Sequence, residues 1–109
     1  MDLTIVQETA PSGAVVLRLD GSLDLVSREA ALNAGQAVVS DGKGLVLDLS
    51  GVTFMDSTGI GVLIDLSREA EEAGASFAVR SPSDRVRRVL SLTGLDNAWA
   101  EEPHEQHHA

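Results

Sequence analysis

Apolar positions along the chain switch between two spacings, and the switches mark the elements. Residues 3–7, Leu-Thr-Ile-Val-Gln, form a short apolar run that stops before Pro11-Ser12-Gly13, a turn signature. Ala14-Val15-Val16-Leu17-Arg18-Leu19 predicts a second strand, so the two runs predict a hairpin. Asp20-Gly21-Ser22 interrupts the apolar pattern and predicts a loop. Helical spacing begins after Ser27, a favoured N-cap residue with Glu29 in the first turn. It continues through Ala30, Ala31, Ala34, Ala37 and Val38, and ends at the glycines of residues 41–44.

Leu45-Val46-Leu47-Asp48-Leu49 is an apolar run bounded by Gly and Ser. It predicts a strand buried on both faces, with Val46, Leu47 and Leu49 in the core. Gly51-Val52-Thr53-Phe54-Met55 predicts an irregular loop. Asp56 and Ser57 then stand directly before a helix over residues 58–73, stopped by Gly74. Residues 76–80 predict a strand. Ser81-Pro82-Ser83 opens a helix over residues 84–92, with Val86, Val89 and Leu90 on one face. Residues 96–100 predict a last short strand. The order β-β-α-β-α-β-α-β points to an α/β protein with a mainly parallel sheet after an initial hairpin.

Composition narrows the function. A chain of 109 residues suits one domain with one core, and 3% aromatics leaves that core to aliphatic side chains. The absence of cysteine excludes disulfides and thiolate chemistry. A net charge of −9 argues against direct nucleic-acid binding and against an anionic membrane surface. It suits a basic protein partner, though excess acid is common in soluble proteins generally. The first residues have no basic segment followed by an apolar one, and no apolar run nears the roughly 20 residues that span a bilayer. A cytoplasmic location is the expectation.

Several groups of residues invite a chemical reading. Asp20, Asp24, Asp48 and Asp56 follow strand ends or lie in loops. They read as solvated loop acids, or less readily as a Mg²⁺ site. His104, His107 and His108 all fall in the polar tail, so no Ser-His-Asp triad is credible. There is no phosphate-binding Gly-rich loop. Neither a cofactor nor a metal is expected. Arg85, Arg87 and Arg88 read as the solvated side of the third helix. On spacing alone, Asp56-Ser57 is either a simple N-cap or an exposed serine at a helix start, where a phosphate is tolerated. Gly59 and Gly61 clear side chains from the first turn, so that another backbone can approach. Ile60, Val62, Leu63, Ile64 and Leu66 are apolar on more than one face, which means either a partner patch or a helix wedged between sheet and neighbour.

Three segments together resemble the STAS domain, and within it the bacterial anti-sigma-factor antagonists. They are Leu19-Asp20-Gly21-Ser22-Leu23-Asp24 with Ser27, the block from Leu47 through Asp56-Ser57-Thr58-Gly59-Ile60-Gly61 to Leu63, and Leu92-Thr93-Gly94-Leu95. The resemblance covers about residues 3–100, so the expected division is a STAS domain over residues 1–100 and a short polar tail over 101–109. Two departures are Ser22, where many members have an acid, and a tail that predicts no fourth helix. The resemblance implies a STAS-like fold, with a single-layer mixed sheet covered by helices mainly on one face. It implies a phosphorylation-gated partner switch with no catalysis of its own. The partners implied are an anti-sigma factor that is also a serine kinase, and a serine phosphatase that resets the switch. Ser57 is the implied phosphorylation site. Asp24, Asp56, Ser57, Thr58, Gly59, Ile60 and Gly61 are the implied partner-binding residues. The alternative is a STAS scaffold subunit of a larger signalling assembly.

Overall fold

The computed structural model describes residues 2–102. Its elements are β1 (Leu3–Thr9), β2 (Val15–Leu23), α1 (Arg28–Ser40), β3 (Leu45–Met55), α2 (Ser57–Glu72), β4 (Phe77–Arg80), α3 (Asp84–Leu92) and β5 (Ala100–Glu102). They build one sheet in the order β1-β2-β3-β4-β5. β1 runs antiparallel to β2, and every later pair is parallel. Each parallel connection passes through one helix and steps the same way across the sheet. Right-handed crossovers then bring the three helices to the same face, as the sequence leads one to expect.

The side chains agree. Alternate strand residues Val15, Leu17, Leu19, Leu45, Leu47, Leu49 and Val79 form one apolar core with residues of α1, α2 and α3. β3 sits in the middle of the sheet, and Leu45 to Leu49 are all buried. That includes Asp48, which is 6% exposed and accepts hydrogen bonds from the Ser50 amide (3.0 Å) and hydroxyl (2.7 Å). Asp48 is thus a buried, bonded residue and not a solvated loop acid. α1 and α2 cross closely at Gly35, where a Cβ would stand 2.7 Å from both methyls of Leu66.

Two segments that read as loops are strand. β2 runs through Asp20-Gly21-Ser22 to Leu23, and β3 runs through residues 51–55. The pairing survives because β3 takes up extra residues. Arg18 pairs with Asp48 but Asp20 with Gly51, and Gly21 pairs with Val52 but Ser22 with Phe54. Bulges of this kind sharpen the twist and hide a strand from any period-2 pattern. Glycine stands at both irregular points. Gly21 has φ +117°, and a Cβ there would overlap the carbonyl oxygen of Asp2, while a Cβ on Gly51 would overlap the Asp20 carboxylate.

The last strand also starts later than expected, at Ala100. Gly94 (φ +75°) ends α3, the Leu95 amide bonds back to the Leu90 carbonyl (2.8 Å), and Leu95 and Trp99 pack on the core. Two ion pairs hold this three-residue strand: Arg80 to Glu102 (2.8 Å) and Arg87 to Glu101 (2.7 Å). The histidines and the expected absence of a fourth helix concern residues 103–109, which lie outside the described residues.

The amides of residues 45–49 should be among the slowest to exchange with deuterium. Leu47→Ala should cost about 2–5 kcal/mol of stability. Leu25→Ala, at a side chain 75% exposed, should stay within about 0.5 kcal/mol of wild type. Urea denaturation of the two variants reads the contrast directly.

Candidate functional site

The parallel strands place the ends of β2 and β3 side by side, with Leu23 opposite Met55. Both residues are buried. The loops that follow, residues 24–27 and residue 56, therefore emerge together at one end of the sheet.

At the second loop, Asp56 is the N-cap of α2. Its backbone is extended, and its Oδ1 accepts from the amides of Thr58 (2.9 Å) and Gly59 (3.4 Å). Ser57 is the first helical residue. Its side chain is exposed, and its hydroxyl makes no hydrogen bond to another described residue. Thr58 behind it is half-buried. The capping role and the exposed serine, alternatives in the sequence, thus fall to different residues. The consequence for an added phosphate is physical. Two of the free amides that would stabilise an anion at this helix start already belong to Asp56.

The first turn is seated by glycine. A Cβ on Gly59 would stand 2.9 Å from the Leu23 carbonyl oxygen and 2.5 Å from Met55 Cγ. Gly59 therefore lets this chain's own β2 end approach the helix. Gly61 is different, since a Cβ there would meet nothing within 4 Å. It leaves open space on the outer side of the same turn. Ile60 is buried at 7% exposure, and Val62, Leu63 and Leu66 are buried completely or nearly so. The many-faced apolar character of α2 is accounted for by the sheet beneath it and α1 beside it.

At the first loop, Asp24 closes a tight turn. Its Oδ1 accepts from the amides of Val26 (3.1 Å) and Ser27 (3.2 Å). Ser27 is not the side-chain cap the sequence suggests, because its hydroxyl donates to the Ser22 carbonyl (2.7 Å) and accepts from the Asp24 amide (3.1 Å). It is a buried knot tying strand end to helix start. The turn leaves Leu25 and Val26 exposed, and nothing in the local sequence signals that.

Other charges lie nearby or apart. Asp20 pairs with Arg18 (3.1 Å). Arg85 stacks over the Phe54 ring (5.2 Å to its centre) and lines a shallow cleft of about 260 Å³ with Thr53, Asp84 and Arg88. Arg85, Arg87 and Arg88 are all exposed on the solvated side of α3, as the sequence suggests, with Arg87 paired to Glu101. A larger groove, about 480 Å³, runs between Ile64, Arg68 and Glu71 of α2 and Phe77 and Trp99. Phe77 and Ala100 begin their strands, so this groove lies at the far end of the sheet from Ser57. Neither opening is lined by Asp24, Asp56 or Ser57. Among the described residues no three His, Asp or Glu side chains come together as a metal site, and no helix is long and apolar enough to cross a membrane.

Known proteins share this arrangement. Residues 6–100 match the family model for the "Mlab, STAS domain". The anti-sigma-F factor antagonist RsfB of Mycobacterium tuberculosis is 33% identical over 89 residues, which are 81% of this chain and 72% of that protein. A Thermotoga neapolitana relative is 42% identical over 52 residues, 48% of this chain and 46% of that protein, so that match spans less than half of the relative. The crystal structure of an anti-sigma factor antagonist from Mycobacterium paratuberculosis superposes with a TM-score of 0.83 at 32% identity, covering 94% of this chain and 87% of that one. SpoIIAA superposes in its unphosphorylated form with a TM-score of 0.77, covering 94% of this chain and 90% of that one. Its phosphorylated Bacillus form gives 0.72, covering 94% and 93%; both are 25% identical to this chain.

The glycines of the first turn give an opposed pair of expectations. Gly59→Ala should destabilise the domain, because backbone and buried side chain must move apart. Gly61→Ala should raise stability by about 0.5–1 kcal/mol, since alanine suits an open helical position better. Thermal melts of the two variants should shift in opposite directions.

Proposed function

This chain belongs to the STAS-domain family, among its anti-sigma-factor antagonists, and we propose that it is a switch gated by phosphorylation at Ser57. In the unmodified state it binds an anti-sigma factor that is also a serine kinase, and so frees a sigma factor. The kinase phosphorylates Ser57, the complex dissociates, and a serine phosphatase restores the hydroxyl. The domain works in the cytoplasm as a binding module whose sheet extends past the expected boundary at residue 100 to Glu102, and it carries out no catalysis. It touches neither nucleic acid nor membrane, in keeping with its charge of −9.

The observation that carries this reading is the Ser57 hydroxyl, which is exposed and bonded to no other described residue, on the first turn of a helix whose cap is already filled by Asp56. An unengaged hydroxyl is free to enter a kinase site. Thr58 is a poorer acceptor because it is half-buried. The partner covers Ser57, Asp56 and Asp24, together with Thr58 and the open side of Gly61. Gly59 and Ile60 act from beneath, by seating the turn that the partner reads.

The electrostatics favour a switch at the interface. A phosphate adds about −1.5 to −2 charges. Within the free domain it meets the Asp56 carboxylate on one side and the helix N-terminus on the other. Each exposed effect is worth at most about 1 kcal/mol, and they oppose one another. Closing a partner over an unpaired dianion removes its water, which costs several kcal/mol. The likeness of this chain to both forms of SpoIIAA supports a modification that leaves the fold in place.

Calorimetric titration with the cognate kinase, beside thermal melts, is the test. Phosphorylation should weaken binding by about 100-fold or more while hardly moving the melting temperature. Ser57→Ala should bind permanently, and Ser57→Asp should bind more weakly than wild type. Site-resolved mass spectrometry should find the phosphate on Ser57. A phosphate on Thr58, or a domain that unfolds when modified, refutes the mechanism.

A further inference from the structure

Leu25 and Val26 are adjacent aliphatic residues, 75% and 81% exposed. Neither belongs to the apolar core. Single exposed aliphatics are ordinary on a protein surface. These two are unusual because the turn that carries them is pinned. Asp24 Oδ1 holds the amides of Val26 and Ser27, and the buried Ser27 hydroxyl is bonded to both the Ser22 carbonyl and the Asp24 amide. The fold thus fixes a backbone in order to display two apolar side chains that do nothing for its own stability.

Resting on the reading of Ser57 above, we infer that Leu25 and Val26 are the apolar anchor by which this chain selects its anti-sigma partner, seated in an apolar pocket with a basic rim. Position supports that occupant. Leu23 stands opposite Met55 in the strand pairing, and its carbonyl lies against Gly59. Neighbouring strands stand about 4.8 Å apart, so a partner that covers Ser57 also reaches the turn. Charge supports it as well. The turn is flanked by Asp24, Asp56 and Glu29, and its neighbour Arg28 is directed to Asp65 at 3.7 Å. A second copy of this chain would set like acids against each other at a net charge of −9 apiece. A basic rim on a different protein does the reverse. A preformed turn also loses little freedom on binding, so the buried aliphatic area converts efficiently into affinity.

The experiment titrates the purified anti-sigma kinases of the source genome, one at a time, into three forms: wild type, the double variant Leu25→Ala/Val26→Ala, and Leu25→Met/Val26→Ile. The double variant should lose about 30-fold or more in affinity, mostly through faster dissociation, with an unchanged melting temperature. The apolar replacements should bind within a few-fold of wild type. Combining the double alanine variant with Ser57→Asp should multiply the two losses. A double variant that binds as tightly as wild type overturns the anchor while leaving the Ser57 switch standing. So does a loss of affinity accompanied by a lowered melting temperature, which would make the turn structural. Self-association of wild type that the double variant abolishes, seen by sedimentation, would assign the patch to a second copy. A wild type that binds none of the kinases overturns the switch and the anchor together.

Discussion

The parallel pairing of β2 with β3, carried past two bulges to Leu23 and Met55, is the contact on which the site depends. Without it, the Asp24 turn and the Asp56 cap would be two unrelated loops. The pairing is possible because glycine stands where side chains would collide, at Gly21 and Gly51, and because Gly59 lets the helix start touch the strand end. The bulges re-aim the last residues of β3, so that the chain enters α2 beside the β2 loop.

Upon that frame the two loops use the same chemistry for different ends. In each, an aspartate accepts two consecutive backbone amides. Asp56 starts a helix and leaves the next side chain, Ser57, exposed. Asp24 closes a turn and leaves Leu25 and Val26 exposed. Both aspartates are engaged by their own backbone, so the partner proposed above would meet two acidic turns of settled shape. A phosphate arriving at Ser57 finds the adjacent amides already bonded. In the proposed switch its charge would be only weakly offset within the domain, and its main effect would fall on whatever binds.

The rest of the molecule is arranged to hold these ends still. The core joins all three helices to one face of the sheet. α2 is buried along most of its length against sheet and α1, which explains why its sequence is apolar on several sides. β5 is short; it pairs with β4 and is tied down further by Arg80–Glu102 and Arg87–Glu101. The Arg80 Nε, at the C-terminal end of β4, is buried with no hydrogen-bond partner among the described residues.

Much of this was legible in the sequence alone. Element order, the hairpin, the central apolar strand and the family likeness of the segment around Asp56-Ser57 all follow from local pattern, because period and capping residues act within a few positions. The β2 and β3 extensions were not legible, since Asp20-Gly21-Ser22 and residues 51–55 have loop composition, and only pairing between distant segments makes them strand. The roles of Ser27, Asp48 and Ile60 were equally hidden: a hydroxyl can cap a helix or tie a turn, and burial is a property of what lies opposite. Gly59 and Gly61 look alike in the chain, yet one faces Leu23 and the other faces solvent. The exposure of Leu25 and Val26 is the clearest case. Two adjacent aliphatic residues are left outside because the Asp24 turn, held to Ser22 by Ser27, carries them away from the core.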